Sequence, residues 1–321
     1  MKQNGYKVLL VEDNEATAGD YVGWLRAAGH TVEHALASSD GVARAADFQP
    51  DVVLLDLQIP SEPNAADEDV RHGLRTLDAL LDADRFRPVV TVSAHNDREL
   101  VRQVLQRTHG GQFVFKDDDH IRAALVEAVV VAVNQPAYKM SRTVREFRAM
   151  VDAGDKKEDA YRDFIRDHWR VILGPEYREV KAPYPIARGG DIDILAVRHD
   201  GLPDLWELKR PSEPVFVRYN TWLHHSSECA KAIGQLMEYF DAAEKSDPTY
   251  DRRHGVQVTL QRPRGFVVIG RYKDAAERER LRLENSFLAG ITVLTYDDLI
   301  ERAEQFLLFL QQYRNGHDLP R

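Results

Sequence analysis

Hydrophobic residues in the first part of the chain occur mostly as short continuous runs, and amphipathic stretches separate these runs. Continuous runs of this kind are typical of strands that are buried on both faces of a sheet. They predict strands at 7–12, 31–36, 51–55, 88–92 and 112–115. Strands that alternate with helices form βαβ units with parallel pairing, so residues 1–134 are predicted to be a doubly wound α/β domain.

The rest of the chain mixes helical and strand patterns in a less regular order. Helices are predicted at 141–153, with Ser141 as the N-cap, and at 158–173, 226–242, 273–288 and 297–313. Strands are predicted at 177–181, 266–269 and 291–295, with a hairpin between the first two. This order predicts a second α/β domain with a mixed sheet at 156–321, which a linker helix at 135–155 joins to the first domain.

The hairpin occupies residues 187–211. Apolar and polar residues alternate along its first strand, and the Asp-Gly pair at 200–201 is a strong signal for a tight turn. With the turn at that point, Asp193 lies level with Glu207 or Lys209 on the return strand. Side chains alternate between the faces of a strand, so these three residues are expected on one face, together with Asp191. The opposite face is predicted to be apolar, with Ile192, Ile194, Trp206 and Leu208.

Carboxylates and an ammonium group on one sheet face favour a cation site. Carboxylate oxygens are ligands that Mg²⁺ prefers, and bound Mg²⁺ can acidify a water molecule and stabilise charge on a phosphoryl oxygen. Asp193 and Glu207 are therefore candidate metal ligands, with Asp191 as a second candidate. Lys209 can hold the attacking water or the scissile phosphate. The alternative is a solvated strand with alternating charges.

The motif formed by Asp193, Glu207 and Lys209 resembles that of the PD-(D/E)xK nuclease superfamily, and the string ELKRP resembles its Shedu-type branch. The resemblance implies a restriction-endonuclease-like fold, a catalytic Mg²⁺ and hydrolysis of DNA in anti-phage defence. It also implies that Gln235, four residues before Tyr239 on a predicted helix, assists at the metal. The alternative for Gln235 is the polar face of an amphipathic helix. The string GGDIDILA resembles Mrr-like restriction enzymes, a variant of the same function.

Polar residues follow the predicted strands of the first domain. Glu12 and Asp13 follow the first strand, Asp56 the third, Ser93 the fourth and Lys116 the fifth. In doubly wound sheets, functional groups collect at these carboxyl ends. The acids can bind Mg²⁺, and Mg²⁺ with the lysine can neutralise an incoming phosphate. The alternative is a set of strand-end acids that only form caps and turns.

This set resembles the receiver domain of bacterial response regulators over about residues 5–134. The resemblance implies a CheY-like, flavodoxin-like order of five parallel strands and phosphorylation of Asp56. It assigns a second Mg²⁺ to Glu12, Asp13, Asp56 and the backbone carbonyl of Gln58, and it assigns phosphate sensing to Ser93, Lys116 and the aromatic switch position Phe113.

Two features depart from the receiver pattern. Lys116 is followed by Asp117, where receivers usually have proline with a cis peptide bond. The segment after Asp56 carries an acidic insertion at 61–72. We consider three roles for the insertion: slower capture of phosphate, a surface for a partner, or a disordered excursion.

Composition and length narrow the class of protein. The chain has 321 residues, of which 43% are hydrophobic and 30% charged, as in globular proteins with two domains. A single cysteine excludes a disulfide framework and a cysteine zinc site, and it fits a reducing cytoplasm. We see no signal-peptide pattern, and the longest apolar run, at 123–133, is too short to span a membrane.

The formal net charge of −9 is unevenly distributed. Residues 1–140 contain 14 Lys and Arg against 22 Asp and Glu, a net charge of −8, which leaves −1 for the remainder. Nucleic-acid enzymes usually carry a basic surface. We therefore expect the acidic half to contact metal and protein, and local clusters such as Arg252-Arg253 and Arg262/Arg264 to supply any basic surface.

Two functions agree with these patterns. The first is a Mg²⁺-dependent DNA nuclease that phosphorylation of Asp56 regulates. The second is a response regulator whose nuclease-like domain is catalytically silent and acts by binding protein or nucleic acid. The resemblance implies a sensor histidine kinase or phosphotransfer protein as partner, and self-association, which is common in both families.

Overall fold

The structure is a computed structural model of the chain, and it describes residues 5–95, 97–108, 111–186, 190–245 and 263–314. The chain divides into two compact units, Met1–Ser141 with Gln311–Arg321, and Arg142–Leu310. Each unit has its own central sheet. Among the described residues, no helix has both the length and the apolar character that a membrane span requires.

The first unit is built on five parallel strands in the order β2-β1-β3-β4-β5. The strands are β1 (Lys7–Val11), β2 (Thr31–Ala35), β3 (Val52–Asp56), β4 (Val89–Ser93) and β5 (Phe113–Phe115). The helices are α1 (Glu15–Ala27), α2 (Ser38–Phe48), α3 (Val70–Ala83), α4 (Arg98–Arg107) and α5 (Ile121–Val133). Apolar clusters cover both faces of the sheet. The predicted parallel α/β sheet of flavodoxin-like order is therefore confirmed.

Side-chain caps fix where three of these helices begin. The Oδ1 atoms of Asn14, Asp69 and Asp97 accept hydrogen bonds from amide groups in the first turns of α1, α3 and α4. Each bond satisfies one of the amides that a helix start leaves without an intrahelical partner. Since Asn14 directly follows Glu12 and Asp13, its cap also fixes the backbone beside the acids at the end of β1.

The acidic segment after β3 folds into a closed loop. The amide and hydroxyl of Ser61 donate to Asp67 at 3.0 and 2.6 Å, and the Ser39 amide donates to the Ser61 carbonyl at 3.1 Å. Ile59 and Asp69 form an isolated antiparallel bridge that closes the loop. These contacts favour a structured surface over the disordered excursion.

The second part of the chain has a mixed sheet. Its strands are β6 (Tyr177–Lys181), β7 (Tyr184–Ile186), β8 (Gly190–Ile192), β9 (Ile194–Arg198), β10 (Pro203–Leu208), β11 (Phe216–Tyr219), β12 (Trp222–His225), β13 (Arg264–Val268) and β14 (Ile291–Leu294). The main sheet has the order β14-β13-β10-β9-β6, in which β6, β9 and β10 pair antiparallel and β10, β13 and β14 pair parallel. Two ribbons, β7–β8 and β11–β12, stand apart from it.

Six helices complete the described chain. They are α6 (Pro136–Ala153), α7 (Glu158–Asp167), α8 (Trp169–Ile172), α9 (Ser227–Glu244), α10 (Ala275–Asn285) and α11 (Tyr296–Arg314). Apolar clusters cover both faces of the main sheet. The predicted mixed α/β domain is therefore confirmed.

Three predicted elements differ in detail. The linker helix begins at Pro136, which suits a first helical turn, so Ser141 lies inside the helix and is buried rather than acting as its cap. The helix predicted at 158–173 is interrupted at His168. The loop predicted after Pro211 contains β11, and β12 precedes α9.

The hairpin has the predicted register, since Trp206 lies opposite Ile194. The predicted position of Ile192 is wrong. Ile194 and Trp206 share one core, whereas Ile192 packs in the other with Leu195. The strand is interrupted at Asp193, and β8 pairs with β7 rather than β10, which turns Ile192 to the opposite face. Both faces of the hairpin are consequently apolar, and the polar site is confined to the strand ends.

Candidate functional sites

The carboxyl ends of β1, β3 and β5 bring acids and a lysine together in the first unit. Lys116 Nζ lies 2.6 Å from Glu12 Oε2 and 2.7 Å from Asp56 Oδ2. Glu12, Asp13 and Asp56 present carboxylate oxygens within 4.8 Å of one another. The amide of Gln58 donates to Asp56 Oδ1 at 3.1 Å. The sheet thus assembles residues that lie far apart in the sequence.

Burial and like charge determine the pKa shifts of the carboxyl groups in this acidic pocket. Burial raises the pKa of Asp56, and burial together with the charge of Asp56 raises the pKa of Glu12. Burial opposes the charge on Lys116, yet the two carboxylates outweigh it and raise the pKa of Lys116. Three carboxylates face one ammonium group, so the pocket suits a divalent cation.

Of the remaining predicted residues of this unit, Ser93 lies at the same sheet edge, whereas Phe113 lies at the start of β5. Ser93 is fully buried at the end of β4, and its Oγ accepts a hydrogen bond from the His95 amide at 3.1 Å. Phe113 is half-buried in β5, with its ring 4.9 Å from that of Phe115. The sequence reasoning missed His34, whose Nε2 lies 2.7 Å from the backbone oxygen of Glu12. Only the β1–β2 register reveals that contact.

The ends of β9 and β10 form a second charged site. Lys209 Nζ lies 2.8 Å from Glu207 Oε1, and the Leu208 amide donates to Asp193 Oδ2 at 2.8 Å. Glu207 is only 3% exposed. Its second oxygen, Oε2, is buried and has no hydrogen-bond partner among the described residues. The predicted trio therefore comes together, with one carboxylate oxygen available.

Burial also dominates the electrostatics of the second site. It raises the pKa of Glu207 to about 7, with a further contribution from the charge of Asp193. Burial raises the pKa of Asp193 as well. For Lys209, burial opposes the charge, but Glu207 outweighs that effect and raises the pKa. Glu207 consequently gains or loses its proton near neutral pH.

The start of α7 adds two charged side chains. Glu158 Oε1 lies 3.7 Å from Lys209 Nζ, and Arg162 Nη1 lies 3.7 Å from Asp193 Oδ1. Arg162 is absent from the predicted set. Its spacing of four residues from Glu158 places both on one helix face, a signal that the sequence contained.

Gln235 and Asp191 occupy less direct positions than predicted. Gln235 Nε2 donates to the Tyr239 hydroxyl at 2.9 Å, and that hydroxyl donates to the backbone oxygen of Asp191 at 2.9 Å. The Asp191 side chain is exposed on β8. Asp191 therefore contributes its backbone to this network, because the interruption at Asp193 takes β8 out of the main sheet.

The structure describes only one arginine of the predicted basic clusters. Arg252, Arg253 and Arg262 lie outside the described residues. Arg264 Nε lies 2.9 Å from Asp204 Oδ1, and Asp204 is fully buried. Arg264 thus neutralises a buried acid in the sheet.

The donor sets of the two sites differ. Within the described ranges, a group of three acidic ligand atoms within 4.8 Å of one another occurs only in the first unit. The second site offers two carboxylates, one with an unpartnered oxygen. Such a set suits Mg²⁺, which commonly takes one or two protein carboxylates and keeps several waters.

Comparisons with known proteins find two separate family matches, one in each part of the chain. Residues 8–129 match the family model described as "Response regulator receiver domain", and residues 155–300 match "Shedu protein SduA, C-terminal". No curated protein matched the chain.

Solved structures of receiver domains are similar to part of the chain. A CheY-like receiver domain protein from Methanospirillum hungatei JF-1 is 18% identical, covers 40% of this chain and 94% of its own, and has a TM-score of 0.35. The receiver domain of a putative Luxo repressor protein from Vibrio parahaemolyticus is 22% identical, covers 44% and 97%, and has a TM-score of 0.36. From the two family matches, we conclude that the chain joins a response regulator receiver domain to a Shedu SduA C-terminal domain.

Proposed function

We propose that this receiver protein is a Mg²⁺-dependent PD-(D/E)xK nuclease that hydrolyses DNA in anti-phage defence and is regulated by phosphorylation of Asp56. The observation that carries the proposal is Glu207 Oε2, a buried carboxylate oxygen without a hydrogen-bond partner among the described residues. Burying such an oxygen is unfavourable, and a bound cation would offset the cost. Asp193 and Lys209 stand beside it, so the cation would be next to a group that can bind phosphate.

Asp193 and Glu207 would hold the metal in the second site. Bound Mg²⁺ would supply positive charge to the phosphate and lower the pKa of a water molecule. Lys209 lies on Glu207 Oε1, where it can orient the attacking water or the scissile phosphate. The Leu208 amide fixes Asp193, and the Tyr296 hydroxyl donates to the backbone oxygen of Lys209 at 2.8 Å. We assign Gln235 an assisting role through the Tyr239 hydroxyl.

Asp56 would accept the phosphoryl group from a sensor histidine kinase or a phosphotransfer protein. The receiver pocket is of the kind that binds Mg²⁺, and Glu12, Asp13, Asp56 and the carbonyl of Gln58 would hold the ion. Lys116, which now contacts Asp56 Oδ2, would pair with the added phosphate, and Ser93 and Phe113 would respond to it.

Helix α6 would carry the response to the nuclease. It forms most of the proposed linker at 135–155, between a receiver domain at 1–134 and a nuclease domain at 156–321. Its Phe147 is fully buried, and the ring lies 6.1 Å from that of Tyr296. Because Tyr296 binds the Lys209 backbone, a shift of α6 has a short route to the catalytic lysine.

The alternative is a catalytically silent output domain that acts by binding protein or nucleic acid. Its specific support is that Lys209 and Arg162 already lie beside Glu207 and Asp193. Those cations reduce the need for a metal.

Cleavage assays separate the two functions. We expect wild type with Mg²⁺ to cut supercoiled or linear DNA, and Lys209→Ala to cut about 100-fold more slowly, since a group that stabilises transition-state charge is lost. A small phosphoryl donor should change the wild-type rate but leave that of Asp56→Asn unchanged. No cutting under any condition, with Mg²⁺ binding absent from the second site, would favour the silent domain.

A further inference from the structure

The β11–β12 ribbon has one packed face and one open face. Its register places Val217 opposite His224 and Tyr219 opposite Trp222, and directly paired residues share a face. Tyr219 is 71% exposed, Trp222 is 70% exposed, and the other two are exposed as well. The opposite face carries Phe216, which is 1% exposed and packs in the core. We call Val217, Tyr219, Trp222 and His224 the open ribbon face.

Packing among the described residues does not bury these aromatic side chains. Tyr and Trp usually bury most of their large apolar surface in a core or an interface. Here they flank a two-residue turn whose first member, Asn220, has a positive φ of 54°, a conformation that asparagine tolerates. The tight turn keeps the two rings next to each other at the tip of the ribbon.

The charge around the open ribbon face favours an anionic partner. Residues 214–227 contain no Asp or Glu, although the whole chain has 52 of them in 321 residues. His224 lies on the open face, whereas the exposed Arg218 pairs with Leu223 on the opposite face, and His225 Nε2 lies 2.7 Å from Glu284 Oε2. An acidic peptide would find little hydrogen bonding on the open face, whereas a nucleic acid offers flat bases to the rings.

The ribbon starts close to the second site. The Ser226 amide donates to the Val215 carbonyl at 2.8 Å, which closes the base of the ribbon six residues after Lys209. Tyr219 lies ten residues after Lys209, and ten residues span at most about 35 Å, a distance that a short single strand can cover.

We propose that the open ribbon face is a stacking platform for unpaired nucleobases, which holds a single-stranded segment of nucleic acid beside Asp193, Glu207 and Lys209. The proposal rests on the nuclease function and adds a substrate class to it: single strands, or duplexes whose ends have opened. Aromatic rings stack on any base, so the platform is expected to bind without sequence preference.

Binding without cleavage tests the platform. The full chain is titrated with a short oligothymidylate in the presence of a chelator, and binding is followed by tryptophan fluorescence and by anisotropy of a labelled oligonucleotide. Trp222 is the exposed member of the four tryptophans, all of which the structure describes, so stacking should quench the emission. Trp222→Ala should weaken the affinity about 10-fold, and Trp222→Phe should retain it. Phe287→Ala is the matched control, because Phe287 is 81% exposed outside the ribbon.

Several outcomes would overturn the platform. One is an unchanged affinity of Trp222→Ala for oligothymidylate. Another is an equal loss of affinity for oligothymidylate and for a blunt duplex, which would mean general rather than base-stacking contact. The third is that the protein is an oligomer, and that Trp222→Ala dissociates it without changing the affinity for oligothymidylate. A second copy of the chain would then cover the open ribbon face.

The test also separates this inference from the proposed function. Binding that depends on Trp222, without any cleavage in Mg²⁺, would refute the nuclease and leave the platform. Cleavage together with binding that does not depend on Trp222 would refute the platform but not the nuclease. Sedimentation and thermal unfolding of each variant establish that the fold is retained.

Discussion

Burial determines how the acids of this protein titrate. Glu207 is 3% exposed, and burial raises its pKa to about 7. Asp200, in the exposed turn of the same hairpin, accepts a hydrogen bond from the Leu202 amide, which lowers its pKa. The two acids lie on one hairpin, yet their pKa values shift in opposite directions. The cause is the difference in solvent access and hydrogen bonding.

The pKa of Glu207 predicts a pH dependence for metal binding. Below pH 7 the carboxyl holds a proton that must leave before a cation binds, so Mg²⁺ affinity should fall about tenfold per pH unit there and level off above pH 8. Calorimetric titration in an Asp13→Ala background, which weakens the receiver site, measures it. Glu207→Gln should lose the dependence. A flat profile in the parent protein would contradict a role for Glu207 as ligand.

At the scale of elements, α6 contributes side chains to the core of the second unit, which a plain linker would not do. Phe147 and Val151 are buried there with Tyr161 and Tyr296. Phe147 also stacks on Phe164 of α7, with ring centroids 5.4 Å apart. The Shedu family match begins at residue 155 and leaves this helix out. Part of the buried core of the second unit therefore lies outside the match.

We predict that a variant starting at residue 155 does not fold alone, whereas one starting at residue 142 does. Losing a buried phenylalanine costs about 3–5 kcal/mol, a large part of the stability of one domain. Circular dichroism and urea unfolding compare the two variants.

Two phenylalanine substitutions in the full chain test the same contribution of α6 to stability. Phe147→Ala should lose about 3–5 kcal/mol of unfolding free energy, and the exposed Phe287→Ala should change it by less than about 0.5 kcal/mol. A stable variant from residue 155 would show that α6 is dispensable to the fold.

At the scale of the whole molecule, charge is the dominant asymmetry. Residues 1–140 carry a net charge of −8, obtained from 14 Lys and Arg and 22 Asp and Glu, and the remainder carries −1. Phosphorylation of Asp56 would replace a carboxylate of charge −1 with an acyl phosphate of about −2, which adds about −1 to the receiver. A polyanion would therefore be repelled more strongly by the receiver half of the chain than by the half with Lys209.

Removing the receiver should strengthen DNA binding. We expect a variant that starts at residue 142 to bind duplex DNA about 10-fold more tightly than the full chain at about 50 mM salt, because repulsion is removed. Near 300 mM salt the difference should shrink, since screening shortens the range of charge. Anisotropy titrations at both salt concentrations measure it. A difference that salt leaves unchanged would indicate direct contact instead of long-range charge.

The sequence by itself determined the elements and most of the chemistry. Hydrophobic period and strand ends predicted both sheets, because burial on two faces requires continuous apolar strands. The Asp-Gly turn predicted the hairpin register, and the register placed Asp193 level with Glu207 or Lys209. The acids and lysine of the receiver followed from the rule that parallel strands end at one edge.

Only the tertiary structure decided which further groups join the two sites and what surrounds them. It turned Ile192 to the other core through a strand interruption, made Asp191 a backbone partner, and brought Arg162 and His34 to the sites from other elements. It also left Glu207 Oε2 buried without a partner among the described residues. Solvent access and contacts between distant elements depend on the packing of the whole fold, and local sequence patterns carry no record of them.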